Sequence, residues 1–317
     1  MDIVTISCLF ALLWLFWKLF NAYNRILVSR QIKRTLAGRT VLITGASSGI
    51  GLELTDRITK YGAKVIMVSE NWEQLKQLSI DFNAAGRKTV PFQLDLSNLP
   101  EIAEKCREIL AKYGPVDILM NNAGILCHSS VEDTSLEVVK KVMAINFTSQ
   151  ILVTQAFLPG MLSRNRGKIV ATGSLQGRFS LPFNSIYAAS KHALMGFYDS
   201  LRGELVTTGL TVTVVLPGFT NTNLAAAAIH GNGQKINKLI NRSFLCGTDP
   251  KLVAQKIVES MCLNREEVLI GGGPGLAAIP HSIQIARYLF PSLFFMNNEL
   301  KAKQDPLYKS NQIRQNG

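Results

Sequence analysis

The sequence predicts an α/β fold: one domain with a doubly wound parallel sheet, preceded by a helix that anchors the chain in a membrane. Three observations support this prediction. Short β-branched runs alternate with longer amphipathic stretches between residues 39 and 275, which is typical of βαβ units with helices on both faces of a sheet. A glycine-rich turn follows the first of these runs. An apolar segment occupies the N-terminus.

The N-terminal segment is long enough to cross a bilayer. Residues 3–20 are apolar apart from Thr5, Ser7 and Lys18. At about 1.5 Å per residue, such a helix is about 27 Å long, close to the hydrocarbon core of about 30 Å. A cleaved signal peptide is the alternative interpretation, but the segment begins with Asp2 and lacks a small-residue cleavage site.

Bases follow the apolar segment, and they predict its orientation. Only Asp2 precedes it, whereas Arg25, Arg30, Lys33 and Arg34 follow. By the positive-inside rule the domain lies in the cytosol, and we expect a single-pass protein of the endoplasmic reticulum membrane. Two glycosylation sequons, at Asn146 and Asn241, leave a lumenal orientation open.

The remaining boundaries follow from composition. We expect residues 1–22 to form the transmembrane or signal-anchor segment, 23–37 a basic linker, 38–275 the catalytic domain, and 276–317 an apolar and then basic tail. Residues 276–296 are interrupted by Pro280, Arg287 and Pro291. They form either an interfacial helix beside the anchor or a segment packed on the domain.

Composition and charge exclude several classes of protein. With 47% hydrophobic and 18% charged residues, the chain of 317 residues is not disordered. The formal charge of +12 favours an anionic partner. No compact basic patch is interleaved with aromatic residues, so we expect no nucleic acid. The five cysteines lack C-x-x-C spacing and are expected to be free thiols, and the four histidines lack ligand spacing, so we expect no metal site.

The β-branched runs locate the strands and therefore the site. We predict seven strands, at residues 39–43, 64–68, 89–94, 116–120, 167–172, 210–215 and 267–270. Ligands of open parallel sheets bind beyond the carboxyl ends of the strands. Candidate functional residues are therefore those that follow each run.

The turn after the first strand predicts a dinucleotide site of the Rossmann type. Gly45 permits a tight turn, Gly49 lets backbone N–H groups approach a pyrophosphate, and Gly51 lets the helix pack close to the strand. Its G-x-x-x-G-x-G spacing differs from the general G-x-G-x-x-G pattern, and a plain loop is the alternative interpretation. The cofactor contacts predicted here are Gly45, Ser47, Ser48, Gly49, Ile50 and Gly51.

Two acids follow the next strands. Glu70 can accept hydrogen bonds from the ribose hydroxyls of NAD and would repel the 2′-phosphate of NADP, which favours NAD(H). The alternative is that Glu70 points to solvent and a main-chain N–H contacts the ribose. Asp95 can pair with the adenine amino group, or it can simply cap the next helix.

Three residues in the second half of the chain are candidates for acid/base chemistry. Tyr187 and Lys191 are four apart in a helix-forming stretch and so share one face. A cation near a phenol stabilises the phenolate, so we expect Lys191 to lower the pKa of Tyr187 from about 10 toward working pH. Ser174 follows the fifth strand and can donate a hydrogen bond to a substrate oxygen.

Several motifs occur together, in a fixed order along the chain, and over residues 38–270 the sequence resembles the short-chain dehydrogenase/reductase family. They are the glycine turn at 44–51, Asn121-Asn122-Ala123-Gly124, Asn146, Ser174, Tyr187-x-x-x-Lys191 and Pro217-Gly218. The resemblance implies a catalytic tetrad of Asn146, Ser174, Tyr187 and Lys191.

The resemblance also implies a role for each site residue. Tyr187 exchanges the proton, Ser174 holds the substrate oxygen, and Lys191 binds the nicotinamide ribose. Asn146 anchors a water that links Lys191 to solvent. The remaining cofactor contacts it implies are Asn122, Ala123 and Gly124 on the adenosine side, and Pro217, Gly218 and Thr222 toward the carboxamide.

Within the family, the anchor, the Asn71-Trp72-Glu73 stretch and the apolar tail are similar to the membrane-associated dehydrogenase/reductase member 7 group, which also resembles the 11β-hydroxysteroid dehydrogenases. Many NADPH-using relatives carry arginine at the place of Glu70. Neither Ser48 nor Ser69 supplies a base instead, so their cofactor preference is not implied here. The helices that carry Phe147 and Tyr187 form the dimer interface in many relatives, which implies a homodimer.

The predicted function is an NAD(P)(H)-dependent oxidoreductase that interconverts a carbonyl and an alcohol on a lipophilic substrate, such as a steroid or retinoid. The segment at 223–239 is the expected substrate-facing lid. Two alternatives stay open: a catalytically silent nucleotide-binding scaffold at a membrane, and a 3-ketoacyl or sphingoid-base reductase.

Overall fold

A computed structural model of the chain describes residues 3–224, 226–236 and 247–271, with side chains from residue 14 onward. Its centre is a seven-stranded parallel sheet in the order β3-β2-β1-β4-β5-β6-β7. The strands are β1 Thr40–Thr44, β2 Lys64–Ser69, β3 Lys88–Gln93, β4 Ile118–Asn121, β5 Gly167–Thr172, β6 Leu210–Pro217 and β7 Glu267–Ile270.

Eight helices accompany the sheet in the described residues. They are α1 Ile3–Leu36, α2 Gly49–Lys60, α3 Trp72–Ala84, α4 Leu99–Tyr113, α5 Leu136–Met143, α6 Ser149–Ser163, α7 Ser185–Glu204 and α8 Pro250–Cys262. A π-helical turn, Ala144–Thr148, joins α5 to α6, and a 3-10 turn, Leu175–Gly177, follows β5. Polar caps begin several of the helices; for example, Asp249 accepts a hydrogen bond from the Lys251 backbone N–H at 2.8 Å.

The doubly wound α/β fold is confirmed. All seven predicted strands are present, and β5 and β7 have the predicted bounds. Alternate residues of each strand face opposite sides of the sheet, so Leu42 belongs to the core beneath α4, α6 and α7, whereas Val41 and Ile43 belong to the core beneath α2 and α8. The strand order reverses between β1 and β4, and this switch point opens the cleft for a ligand.

The N-terminal helix is longer than we predicted. Residues 23–37, expected as a linker, continue α1 as far as Leu36. Ile32 and Leu36 are buried in the core beneath α8, and the Gln31 side chain donates to the Cys262 carbonyl at 3.3 Å. The basic segment is therefore a helix whose end belongs to the domain. Farther back along α1, Trp14, Trp17 and Phe20 are exposed.

Within the described residues, one helical stretch, Leu136–Ser163, has the length and hydropathy needed to span a membrane. It contributes Val153, Phe157 and Met161 to the core beneath the sheet. Its apolar composition is thus explained by packing inside the domain.

Replacing Leu36 with alanine should lower the free energy of unfolding by about 2 to 5 kcal/mol, because removing a fully buried leucine side chain leaves a cavity. Denaturant unfolding of the full chain in mild detergent measures this loss. Ile26→Ala is the matched control on the same helix, since Ile26 is 52% exposed. Equal losses in the two variants would contradict the assignment of the end of α1 to the core.

Candidate active site

The glycine turn lies at the switch point and forms a tight cradle. Gly49 has φ +52°, and a Cβ there would lie 3.2 Å from the Thr222 side chain. At Gly51 a Cβ would lie 2.1 Å from the Gly45 carbonyl oxygen, so a side chain cannot fit. The first turn of α2 contains no acid, and the Ser48 side chain does not cap it. Its backbone N–H groups and positive dipole end therefore suit a phosphate.

The ends of β1 and β2 meet beside this turn. Ser47 Oγ and Ser69 Oγ are 2.9 Å apart, and the Gln74 side chain donates to the Ser47 carbonyl at 3.2 Å. Glu70 is the next residue after β2 and is exposed. Its carbonyl accepts from Gln93 at 3.0 Å. Within the described chain its carboxylate forms no hydrogen bond or ion pair, so that group is available at the rim of the cleft.

Asp95 is engaged in a local turn. One carboxylate oxygen, Oδ1, accepts from the Ser97 backbone N–H at 2.8 Å and from the Ser97 hydroxyl at 2.7 Å. This turn precedes α4, whose N-cap is Asn98, so Asp95 does not cap the helix as our alternative interpretation expected. An adenine contact would have to use the other oxygen.

Asn122 and Ala123 connect three strand ends. The Thr44 hydroxyl accepts from the backbone N–H groups of Asn122 at 2.9 Å and Ala123 at 3.1 Å. The Thr172 hydroxyl donates to Asn122 Oδ1 at 3.2 Å. These contacts fix the loop after β4 against the glycine turn, so the predicted adenosine-side residues line one wall of the cleft.

Tyr187, Lys191 and Ser174 come together at the carboxyl end of β5. The Ser174 side chain lies close enough to the Tyr187 hydroxyl to influence its pKa. Lys191 Nζ lies 5.7 Å from the centre of the Tyr187 ring and donates to the Thr172 carbonyl at 3.0 Å. Ser174 is held in place because its Oγ accepts from the Gln176 backbone N–H at 3.1 Å. The three side chains thus lie together as one constellation, which consists of the Ser174 hydroxyl, the Tyr187 phenol and the Lys191 ammonium.

Burial controls the ionisation of this constellation. It raises the pKa of Tyr187, and the hydrogen bond with Ser174 lowers that pKa by a smaller amount. Burial also lowers the pKa of Lys191 to about 8. Our expectation that Lys191 lowers the pKa of Tyr187 is therefore not met in this structure. The physical reason is that both groups are almost fully enclosed, so burial disfavours the charged form of each.

Asn146 lies in the middle of the π-helical turn and is fully buried. Its Oδ1 accepts from the Ile125 backbone N–H at 2.8 Å, and its Nδ2 donates to the Ile125 carbonyl at 2.9 Å and to Ser190 Oγ at 3.0 Å. The side chain therefore joins the loop after β4 to the helix that carries Tyr187. This burial also places the Asn146 sequon inside the domain.

The loop after β6 closes the other side of the cleft. The Gly218 backbone N–H donates to the Ile270 carbonyl at 2.8 Å, which holds the Pro217-Gly218 corner against β7. From there the chain reaches Thr222, which faces the glycine turn at Gly49. The structure thus places Thr222 beside the glycine turn, just before the segment that we expected to form a lid.

Apolar side chains cover Tyr187. It packs in one cluster with Leu126 from the loop after β4 and with Ala228 and Ile236 from the segment expected as a lid, and Leu224 packs against them. The Ile229 backbone N–H donates to the Leu126 carbonyl at 2.9 Å. The Tyr187 side chain is thus enclosed by hydrocarbon. Residue 225 and residues 237–239 of that segment lie outside the described residues, as do Asn241 and the tail at 276–317.

The partners of His128 were not predictable from the sequence. His128 Nδ1 lies 2.8 Å from Asn184 Oδ1, and Asn184 is the residue just before α7. The neighbouring Phe183 has φ +62°, an uncommon conformation for a bulky residue. Its carbonyl accepts from the Ser129 backbone N–H at 2.8 Å. No local motif signals such contacts, because they join segments more than fifty residues apart.

The glycine cradle, the free helix end and the Ser174-Tyr187-Lys191 constellation fit a nicotinamide dinucleotide. The cradle has room for a pyrophosphate only because side chains are absent there, and the constellation lies farther along the same edge of the sheet. The residues that would hold such a cofactor are those of the glycine turn, Asn122, Ala123, Gly124, Lys191 and Thr222.

Comparison with known proteins agrees with this geometry. The profile of the short chain dehydrogenase family matches residues 39–232. The mouse protein named dehydrogenase/reductase SDR family member 7B is 34% identical over 314 residues, which cover 98% of this chain and 95% of that one. A Drosophila melanogaster protein named dehydrogenase/reductase SDR family protein 7-like is 35% identical over 284 residues, covering 88% and 83%.

Two solved structures are also similar. A short-chain dehydrogenase/reductase from Burkholderia phymatum, in complex with NAD, has a TM-score of 0.70 and 23% identity, covering 80% of this chain and 95% of that one. A metagenomic short-chain oxidoreductase in complex with NADP has a TM-score of 0.61 and 26% identity, covering 76% and 99%. By its profile match, its relatives and its fold, this chain belongs to the short-chain dehydrogenase/reductase family of NAD(P)-dependent oxidoreductases.

Proposed function

We propose that the protein interconverts a carbonyl and an alcohol on a lipophilic substrate, using a nicotinamide cofactor. The observation that carries this proposal is the Ser174-Tyr187-Lys191 constellation enclosed by an apolar cluster. A bound nicotinamide supplies the hydride for reduction and accepts it in oxidation. The protein has to move one proton and to hold the substrate oxygen.

The hydroxyl groups perform these two tasks. In reduction, the Ser174 hydroxyl donates a hydrogen bond to the substrate oxygen while the Tyr187 hydroxyl transfers its proton to the same atom. The raised pKa of Tyr187 keeps the phenol protonated before the transfer. The charge on Lys191 stabilises the phenolate that remains. In oxidation, the same groups act in the reverse order.

The enclosure of Tyr187 indicates the class of substrate. Leu126, Leu224, Ala228 and Ile236 present hydrocarbon around the phenol. Burial of apolar substrate surface against them is favourable, whereas a charged substrate would lose its hydration without a partner. A steroid, a retinoid or a related lipid fits this environment. A 3-ketoacyl or sphingoid-base chain is the second candidate, because it offers the same apolar surface in a linear shape.

The long N-terminal helix supports attachment to a membrane. Its exposed aromatic side chains, Trp14, Trp17 and Phe20, continue the apolar run that begins at residue 3. We place this run in a membrane, with the endoplasmic reticulum as the compartment and the domain in the cytosol. A lipophilic substrate would then be concentrated in the same bilayer. A homodimer through the face of α6 and α7 is part of the same proposal.

Tyr187→Phe should lower turnover of a lipophilic carbonyl by at least about 100-fold, because the variant has no proton to transfer. The measurement is NAD(P)H oxidation with a panel of steroid ketones, retinal and a 3-ketoacyl substrate. Tyr198→Phe is the control, since Tyr198 lies on the same helix but bonds to Asn121 outside the site. Cofactor binding without turnover of any substrate would favour the silent scaffold instead.

Glu70 should determine the choice of cofactor. We expect NADH to bind at least about tenfold more tightly than NADPH, and Glu70→Arg to reverse this preference, because the substitution replaces a repulsive carboxylate with a cation near the 2′-phosphate. Fluorescence titration of the full chain in mild detergent measures both affinities. Glu73→Arg makes the same charge change in the first turn of α3, three residues farther along the chain, and should leave the preference unchanged. Tighter NADPH binding by the unaltered protein would contradict the role of Glu70.

The rate of reduction should depend on the charge of Lys191. Since burial lowers the pKa of Lys191 to about 8, the ammonium is present below that pH and is lost above it. We therefore expect kcat/KM for carbonyl reduction to fall as the pH rises through about 8. Lys191→Met should be slow at every pH and should lack this fall. A wild-type profile that stays flat to a pH of about 10 would show that this ionisation does not limit the reaction.

A further inference from the structure

A buried histidine, His128, lies beside the apolar cluster around Tyr187. The chain is extended near Cys127, which pairs with Ile229 of the segment expected as a lid. Leu126 packs in the Tyr187 cluster, whereas Cys127 packs in a separate cluster with Ile229. Since successive side chains of an extended segment face opposite sides, His128 lies on the same side as Leu126. The His128 ring therefore belongs to the side of the loop that faces the site.

The ring of His128 bonds to a side chain in a capping position. Asn184 precedes α7, and an asparagine there usually accepts a hydrogen bond from a backbone N–H of the first helical turn. Asn71 accepts such a bond at the start of α3, but Asn184 does not at the start of α7. Its Oδ1 lies 2.8 Å from His128 Nδ1 instead. Because this oxygen can only accept, Nδ1 carries the hydrogen of the bond.

The residue before Asn184 has an unusual backbone conformation. Phe183 has φ +62°, in the left-handed region, which is uncommon for an aromatic residue. Its carbonyl accepts from the Ser129 backbone N–H at 2.8 Å, and its ring meets the His128 ring edge to face at a centroid distance of 6.0 Å. Such conformations persist only where the surrounding contacts impose them. His128 and Ser129 thus fix Phe183 and Asn184, and we call these residues together the clasp.

The clasp also joins the two segments that flank the site. The His128 backbone N–H donates to the Ile229 carbonyl at 3.0 Å, in the segment expected as a lid. The loop that leads from Ser174 to α7 ends at the other side of the clasp. A shift of either segment would therefore change the shape of the space beside Tyr187.

Other contacts hold the Tyr187 phenol itself. The helix α7 is joined to β5 by the hydrogen bond from Lys191 to the Thr172 carbonyl, and to the π-helical turn by the bond between Asn146 and Ser190. None of these residues belongs to the clasp. Loss of the clasp should therefore move the wall of the site while the Tyr187 hydroxyl stays in place.

We propose that His128 is a positioning residue that sets the affinity for the lipophilic substrate. By bonding to the Asn184 side chain, the ring keeps Phe183 in its left-handed conformation and gives the wall a fixed shape against which an apolar substrate packs. The inference rests on the proposed function. It assigns His128 no part in the transfer of the proton or the hydride.

The test compares His128→Phe with the unaltered full chain in mild detergent. The substitution keeps a ring against Phe183 but removes the Nδ1 donor. The substrate is whichever of all-trans-retinal, androstenedione and a 3-ketoacyl ester is turned over fastest. KM should rise at least about tenfold, while kcat stays within about threefold and the Kd of NADH or NADPH within about twofold, because substrate binding is lost and the chemistry is not.

A rescue variant and a matched control accompany this comparison. His128→Asn should restore KM to within about threefold, because asparagine carries an N–H donor the same number of bonds from Cα. His192→Phe makes the same change at a ring that bonds to the Ala188 carbonyl within α7, and it should leave KM within about twofold. Asn184→Leu should raise KM as His128→Phe does. The two changes combined should be no worse than either alone, since each removes the same hydrogen bond.

Hydrogen exchange measured by mass spectrometry gives a readout that needs no turnover. In His128→Phe the Asn184 side chain is free to cap α7, so the amide of Ile186 or Tyr187 should exchange more slowly. The Ser129 amide should exchange at least about tenfold faster, because its acceptor, the Phe183 carbonyl, moves away. General loosening of the fold would speed exchange at all of these amides.

The outcomes separate the clasp from the proposed function. An unchanged KM in His128→Phe, no restoration by His128→Asn, or an equal rise in the His192→Phe control would overturn the role of His128. If the unaltered protein turns over none of these carbonyl compounds, the proposed function fails, and the exchange pattern alone decides on the clasp. Opposite changes at Ser129 and at the start of α7 then support it, whereas parallel changes or none overturn it.

Discussion

The hydrogen bond from the Lys191 ammonium to the Thr172 carbonyl ties the helix that carries Tyr187 to the end of β5, and the rest of the candidate site depends on it. Lys191 is only 3% exposed, so its charge needs this partner. The same strand end continues into Ser174, whose side chain lies close enough to the Tyr187 hydroxyl to influence its pKa. One backbone position thus sets the distance between the cation, the phenol and the hydroxyl. Asn146 then attaches the loop after β4 to the same helix.

The sequence was sufficient to predict the sheet because its central strands, such as β1, β4 and β6, are apolar runs buried on both faces. The bounds of β5 and β7 were correct to the residue, while β4 begins two residues later than predicted, at Ile118. The error over α1 has a different cause. Ile32 and Leu36 mark the end of that helix as part of the core, but only their contact with α8 shows this, and that partner lies more than two hundred residues away.

The candidate site was predictable as a set of residues but not as an electrostatic environment. Spacing placed Tyr187 and Lys191 on one face of a helix, and the structure brings Ser174 to them. The direction of the Tyr187 pKa could not be predicted, because it depends on how completely Leu126, Ala228 and Ile236 exclude water. The π-helical turn at Asn146 could not be predicted either, since nothing in the local sequence departs from that of an ordinary helix.

The continuous helix α1 has a mechanical consequence. It runs from Ile3 into the core at Leu36 without a break. In the proposed membrane arrangement, any tilt of this helix would turn the domain by the same angle. Bilayer thickness, acting through helix tilt, would then set the orientation of the cleft relative to the lipid.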